Sequence, residues 1–273
     1  MLVTTALADI GVIGGSGFYS LLDSAQAHPM TTPYGTPSDA VSVGMLGGRR
    51  VAFLPRHGSG HRFAPHRVPY RSNLWALRRL GVRQVISLSA VGSLRAELGP
   101  GTIVSPDQVV DRTWGRPGTY NETDTGVSHV EFADPYCVWG RAAAGAAARD
   151  LERELTAEGT VVVVNGPRFS SRAESQEYQT HRWSIIGMTA QPEATLAREL
   201  ALCFSVLALV TDLDAGVEAG EGVTHADVLA EFARNLPRLR ELLVATVERL
   251  PAEQGDCPCG AVYAGTPPAF DLP

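Results

Sequence analysis

The sequence predicts an α/β fold: a single domain with a central mixed β-sheet flanked by helices. Three observations predict it. Seven short apolar, mostly β-branched runs recur along the chain, as strands buried on both faces do. Stretches with helix start and stop signals separate them. No period of about twenty to fifty residues repeats, and no low-complexity linker divides the chain. At 273 residues, with 44% hydrophobic and 19% charged residues, the composition is that of an ordinary globular protein. The domain is expected over 1–250, followed by a Pro/Gly-rich tail over 251–273.

In chain order, strands are expected at 10–13, 51–54, 85–88, 103–104, 161–164, 184–186 and 203–210. A helix is expected from Ser72, a candidate N-cap, to Leu80, with Gly81 as its stop. Residues 141–155 are rich in Ala, Glu and Arg, and 193–200 begin just after Pro192, so both read as crossover helices. A last helix starts at Thr224, whose spacing to Asp227 matches a capping box, and Pro237 should kink or divide it. After Pro251 no periodicity remains, so an arm or a loose end is expected.

Composition also excludes. The chain has no lysine, its 23 basic residues all being Arg. Schiff-base catalysis, pyridoxal-phosphate attachment and a Walker-A loop are therefore ruled out. A net charge of −6 argues against nucleic-acid binding by charge. The longest apolar stretch, 201–210, is far short of the roughly twenty residues a membrane helix needs. No Arg precedes Arg49, so a secretory signal is not expected, and the reading is a cytoplasmic protein without nucleic-acid or membrane partners. The four cysteines lack C-x-x-C spacing. Reduced thiols are expected, with Cys203 in the core and Cys257/Cys259 either a redox or metal dithiol or two thiols of an irregular tail.

Several apolar runs end in a polar or glycine-rich turn, where open α/β sheets place their ligand crevice. After the first run comes GGSG at 14–17, whose backbone N–H groups and Ser16 hydroxyl can converge on an anion; Ser20 replaces the third glycine of a dinucleotide fingerprint, and a tight structural turn accounts equally for these residues. Arg56 and His57 follow the second run, a guanidinium able to grip an oxyanion bidentately beside an imidazole, or else surface charge. Ser89 and Ala90 open a small-residue stretch that admits close approach to backbone. Met188 and Thr189, followed by Pro192 and Glu193 at a helix start, set an apolar thioether, a hydroxyl and an acid next to one another, although a methionine alone reads as core. Asp212 and Asp214 end the last run, one residue apart; they can be metal ligands, a general acid with a partner, acceptors for a base, or solvated turn acids.

Together these ends resemble the purine nucleoside phosphorylase superfamily, in its trimeric S-methyl-5'-thioadenosine phosphorylase branch. The resemblance covers about 11–229 and rests on VIGGSG at 12–17, RHG at 56–58, NLWAL at 73–77, GPRFSSRAES at 166–175 and TDLD at 211–214. It implies a pentosyltransferase that moves a ribosyl group from purine to inorganic phosphate. No metal or organic cofactor takes part, phosphate being a co-substrate. The resemblance assigns Ser16, Arg56, His57, Ser89, Ala90 and Thr189 to the phosphate site. Phe169 would stack on the purine, Ser170 would follow it in the base pocket, and Met188 would lie under the ribose. His129 would come from the adjacent subunit of a homotrimer, with His61 a further candidate in that region, so that the active site would lie near a subunit interface.

Phosphate is already a nucleophile, so the protein has to orient it and neutralise the departing purine. The Asp212/Asp214 pair matches that second task, one acid donating to purine N7 and one group receiving the exocyclic amine. A carboxylate facing a 6-oxo group would be unpaired, so 6-aminopurines are favoured; the 6-oxopurine branch typically carries Asn at the first of these positions. At the 5' end, the position matching His225 is apolar in methylthio-specific members, whereas a histidine accompanies 5'-hydroxyl recognition. The reading is thus phosphorolysis of 5'-modified adenosines, S-methyl-5'-thioadenosine first, with an adenosine or broad purine nucleoside phosphorylase as the alternative. A non-catalytic nucleoside-binding protein and a nucleosidase using water are the rivals.

Overall fold

Where β-branched residues can be buried on both faces the chain forms its central strands, and with more exposed edge strands these assemble into one ten-stranded mixed sheet. The computed structural model describes residues 6–15, 18, 21–122, 124, 126–218 and 224–273. Strands β1 (Ile10–Gly14), β4 (Arg49–Pro55), β5 (Gln84–Ser93) and β10 (Cys203–Leu213) run parallel, with β1 between β4 and β5, and β10 on the other edge of β5. The antiparallel β2 (Asp23–His28) and β3 (Val41–Leu46) extend the sheet beyond β4. On the far side β7 (Gln108–Arg112), β8 (Thr160–Val164) and β9 (Ile185–Gly187) are mutually parallel, and β9 pairs antiparallel with the end of β5. The two-residue β6 (Ile103–Val104) pairs with β10.

Alternation along the central strands sends side chains to two cores. Val206, Ala208 and Val210 of β10 pack with helices α1 (Tyr70–Arg79) and α4 (Ala190–Glu199). Leu207 and Leu209 pack on the opposite face with α2 (Val138–Asp150) and α5 (His225–Arg249). Helix α3 (Arg172–Thr180) starts at a Ser171/Glu174 capping box. Among the described residues no helix is long and apolar enough to cross a membrane.

Several boundaries differ from the sequence expectation, each for a local reason. β5 and β10 run on to Ser93 and Leu213 because they keep pairing with each other beyond their apolar runs. α1 begins two residues before Ser72, whose hydroxyl donates instead to the Tyr34 carbonyl. α2 occupies 138–150 rather than 141–155, with Glu152 at φ +51° just beyond it. α5 begins at its Thr224/Asp227 box and runs unbroken through Pro237. The missing N–H there costs about 3 kcal/mol. The buried Leu239, Leu242 and Leu243 return roughly 2 kcal/mol each, which outweighs it.

The segment after Pro251 is docked rather than loose. Cys257, Cys259 and Phe270 are buried. The Tyr263 hydroxyl donates to the Glu199 carbonyl, and the Ala269 N–H donates to Ser128 Oγ.

Candidate active site

The site begins with a change of neighbours along β5. One edge of this strand is paired with β10 from Gln84 to Ser93, whereas the other is paired with β1 only through Ser87 and with β9 only from Gly92. Residues 88–91 therefore present an unpaired backbone edge at the point where the sheet divides, the usual place for a crevice in such sheets. A cavity of about 410 Å³ opens there. Of the residues nominated from the sequence, Arg56, His57, Ser89, Ala90, Phe169, Ser170, Met188, Thr189, Asp212, Asp214 and His225 all line it. Ser16 lies outside the described residues, although its neighbour Gly15 lines the cavity. His129 is exposed on the connection between β7 and α2 and is not part of this chain's cavity lining.

At one end Arg56 is held by the interior. Its Nε and Nη2 donate to the two carboxylate oxygens of the fully buried Glu193, at 2.6 and 3.1 Å, Nη2 also donates to Ser87 Oγ, and Nη1 donates to the Leu88 carbonyl. The bidentate face expected for a ligand is thus given to Glu193. Four of the five guanidinium N–H groups have partners among the described residues, the fifth being on Nη1. Strand alternation puts the Ala90 N–H on the same edge as the Leu88 carbonyl. Ser89 Oγ is buried without a partner among the described residues. His57 Nδ1 lies 2.8 Å from the Phe63 carbonyl, which can only accept, so Nδ1 carries the proton and Nε2 offers a lone pair. Burial, helped by the Arg56 charge, pushes the His57 pKa down to about 4, so the ring is neutral near pH 7. It stacks on His61 at 4.3 Å.

At the other end two acids approach each other. A bulge after Val210 leaves Thr211 unpaired, and its hydroxyl donates to Asp212 Oδ1 at 2.7 Å. Burial, with Asp214 adding repulsion, pushes Asp212 up to about 6 against that bond. Burial raises Asp214 as well, opposed by the Ser175 and Ser170 hydroxyls and the Ala215 N–H. Asp214 Oδ2 has no partner among the described residues. Gly92 permits the approach, since a Cβ there would stand 3.0 Å from Asp212 Oδ2. Gly166, at φ +59°, faces Met188, and a Cβ on it would overlap the Met188 sulfur. One stripe of α5, formed by His225, Val228, Leu229 and Phe232, walls the same cavity.

Comparison with known proteins settles the family. The profile of the Phosphorylase superfamily matches residues 9–248. This chain belongs to the phosphorylase superfamily. The α/β fold and the pentosyl-transferring enzyme class implied by the sequence resemblance are borne out. A purine nucleoside phosphorylase of Streptomyces coelicolor is 57% identical, with 97% of this chain and 98% of that protein covered. An S-methyl-5'-thioadenosine phosphorylase of Mycolicibacterium smegmatis is 52% identical, with 97% and 99% covered. Among solved structures, a methylthioadenosine phosphorylase from an antarctic soil metagenomic library superposes with a TM-score of 0.88 at 39% identity, covering 97% of this chain and 93% of that one. The Schistosoma mansoni methylthioadenosine phosphorylase in complex with adenine gives 0.83 at 36% identity, covering 88% and 91%.

Within this phosphorylase fold the structure adds roles and residues that the sequence did not show. Glu193, the acid that follows Met188 and Thr189 in the sequence, positions Arg56 from 137 residues away, and its full burial betrays that role. Arg116 donates to the carbonyls of Met188 and Gln191 and to that of Asn165, tying together two loops that border the cavity. Val228, Leu229 and Phe232 were legible in principle, because spacings of three, four and seven residues from His225 share one helix face.

Proposed function

We propose that this chain catalyses phosphorolysis of S-methyl-5'-thioadenosine, giving adenine and 5-methylthioribose 1-phosphate. The observation that carries it is the pair of buried polar atoms without a partner among the described residues, Ser89 Oγ and Asp214 Oδ2, bordering one cavity with Arg56 and Asp212. Phosphate lies against the fifth N–H of Arg56, on Nη1, the Ala90 N–H and the Ser89 and Thr189 hydroxyls; Ser16, outside the described residues, is assigned to the same site by the sequence resemblance alone. A protonated phosphate oxygen donates to His57 Nε2. An unprotonated oxygen attacks the sugar C1', the C1'–N9 bond breaks, and its electron pair passes into the purine. Asp212 donates its proton to N7, and Asp214 accepts from the 6-amino group. Phe169 stacks on the base and Ser170 borders it, Met188 lies under the ribose, and Val228, Leu229 and Phe232 receive the methylthio group. No catalytic metal or organic cofactor enters this scheme.

His225 favours a second reading, in which it hydrogen-bonds a 5'-hydroxyl and adenosine is the better substrate; the Streptomyces relative's name agrees with that reading. Adenine release from both nucleosides, with and without phosphate, separates the possibilities. Phosphate-dependent release with S-methyl-5'-thioadenosine preferred is expected. A strong adenosine preference favours the second reading, and phosphate-independent release of free sugar overturns phosphorolysis.

The working form in this proposal is a cytoplasmic homotrimer, in which His129 reaches a neighbouring subunit's cavity and the released adenine is salvaged. Its support is the exposure of the apolar Trp114 and Val127 on the segment that carries His129. Light scattering checks the mass, and a His129→Ala loss of activity in a preserved trimer checks the residue.

A further inference from the structure

The four cysteines come from three distant segments and meet at the end of the sheet opposite the cavity. Cys137 is the N-cap of α2, Cys203 is the first residue of β10, and Cys257 and Cys259 flank Pro258 in the docked C-terminal segment. All four are buried, and their sulfurs lie within 4.8 Å of one another. Cys203 and Asp212 stand at the two ends of β10, nine residues and so roughly 30 Å apart. We propose that Cys137, Cys203, Cys257 and Cys259 form a structural tetrathiolate site for a single zinc ion.

Close packing of apolar thiols accounts for burial but not for four sulfurs converging on one point. The separations of 3.6 Å from Cys137 to Cys257 and 3.4 Å from Cys203 to Cys257 are far from the roughly 2 Å of a covalent S–S bond. They are close to the edge of a zinc tetrahedron, about 3.8 Å for Zn–S bonds of about 2.3 Å. A donor already points at the cluster: Gln254 Nε2 reaches Cys203 Sγ at 3.4 Å. N–H···S bonds of this kind orient metal-bound thiolates. Four thiolates and one divalent cation carry two net negative charges, and the buried Arg198 guanidinium stands by Cys259 to offset them. Each thiol gives up a proton to solvent on binding, and nothing is oxidised or reduced. The C-x-C spacing at 257–259 lacks the usual C-x-x-C signature, so only the fold assembles the ligand set.

The proposal is independent of the catalytic reading and is tested on the whole chain purified with reductant and without chelator. Elemental analysis is expected to find about one zinc ion per chain, and the four thiols should react with a thiol reagent only after zinc is stripped or the chain unfolds. A chelator should lower the unfolding temperature. Cobalt(II) exchanged into the site should give the intense absorption of a tetrahedral tetrathiolate. Cys257→Ser/Cys259→Ser should lose the zinc, while Asp212→Asn should keep it. Metal-free wild-type protein with four free thiols overturns the proposal, as do two disulfides by mass with stability lost to reductant rather than chelator. Zinc retained without Cys257 and Cys259 overturns it as well.

Discussion

At the Arg56 end of the cavity the buried charges answer one another, with a guanidinium that gives four of its five N–H groups to Glu193, Ser87 and the Leu88 carbonyl beside a neutral imidazole. At the Asp212 end two acids lie near each other, both raised by burial, and one oxygen has no partner among the described residues. The first arrangement fixes geometry at little electrostatic strain, as a site must that only holds an anion in place. The second keeps a proton available near neutrality, as a site must that hands one over.

The largest expected effect tests whether the two ends act separately. Asp212→Ala should lower kcat for adenine release by roughly 10²–10⁴, with little change in the phosphate KM; a KM that rises in step would break the division. Arg56→Ala should strand the Glu193 carboxylate, destabilise the fold by about 3–5 kcal/mol and weaken phosphate use. Thermal unfolding reads the first effect, and Glu193→Gln in the same background should recover part of the stability.

The ends should also differ in their pH responses. His57 has its folded pKa depressed from 6.5 to about 4, so its contribution is present above pH 6.5 and is lost as pH falls towards 4. That contribution is on the order of 3 kcal/mol and should be missing from the acid-unfolding profile of His57→Asn. Asp212 is shifted the other way, so its protonated form predominates below about 6. The nucleoside kcat/KM should decline with an apparent pKa near 6 that belongs to the Asp212/Asp214 pair, and Asp212→Ala should abolish that limb. Ser89→Ala should raise the phosphate KM by roughly tenfold. His225→Val should shift preference from adenosine to S-methyl-5'-thioadenosine by about fivefold, the smallest of these effects and the one that sharpens substrate choice.

The strands buried on both faces were legible because their apolar runs are continuous, and most nominated site residues follow directly from where those runs stop. Strand β2 was not legible: its residues, Asp-Ser-Ala-Gln-Ala-His, are almost all exposed, and an edge strand with no buried face carries no hydrophobic period. Helix α3 hid its start in a motif read only for its resemblance. In the site, composition showed that Arg56 can bind an anion but not that Glu193 occupies its forked face. The cysteine cluster was illegible for the same reason, since the separation of 54 positions from Cys203 to Cys257 is closed only by tertiary folding.

The docked C-terminal segment reaches further than its place at the end of the chain implies. Glu199 accepts from the Thr119 hydroxyl and the Tyr120 N–H through its side chain and from Tyr263 through its carbonyl, and Phe270 packs on Tyr120. Clipping the polypeptide at Pro251 would therefore unclasp the same stretch that brings Arg116 to the Met188 carbonyl, so a protease acting on the outside of the molecule would be felt as a slackened cavity wall.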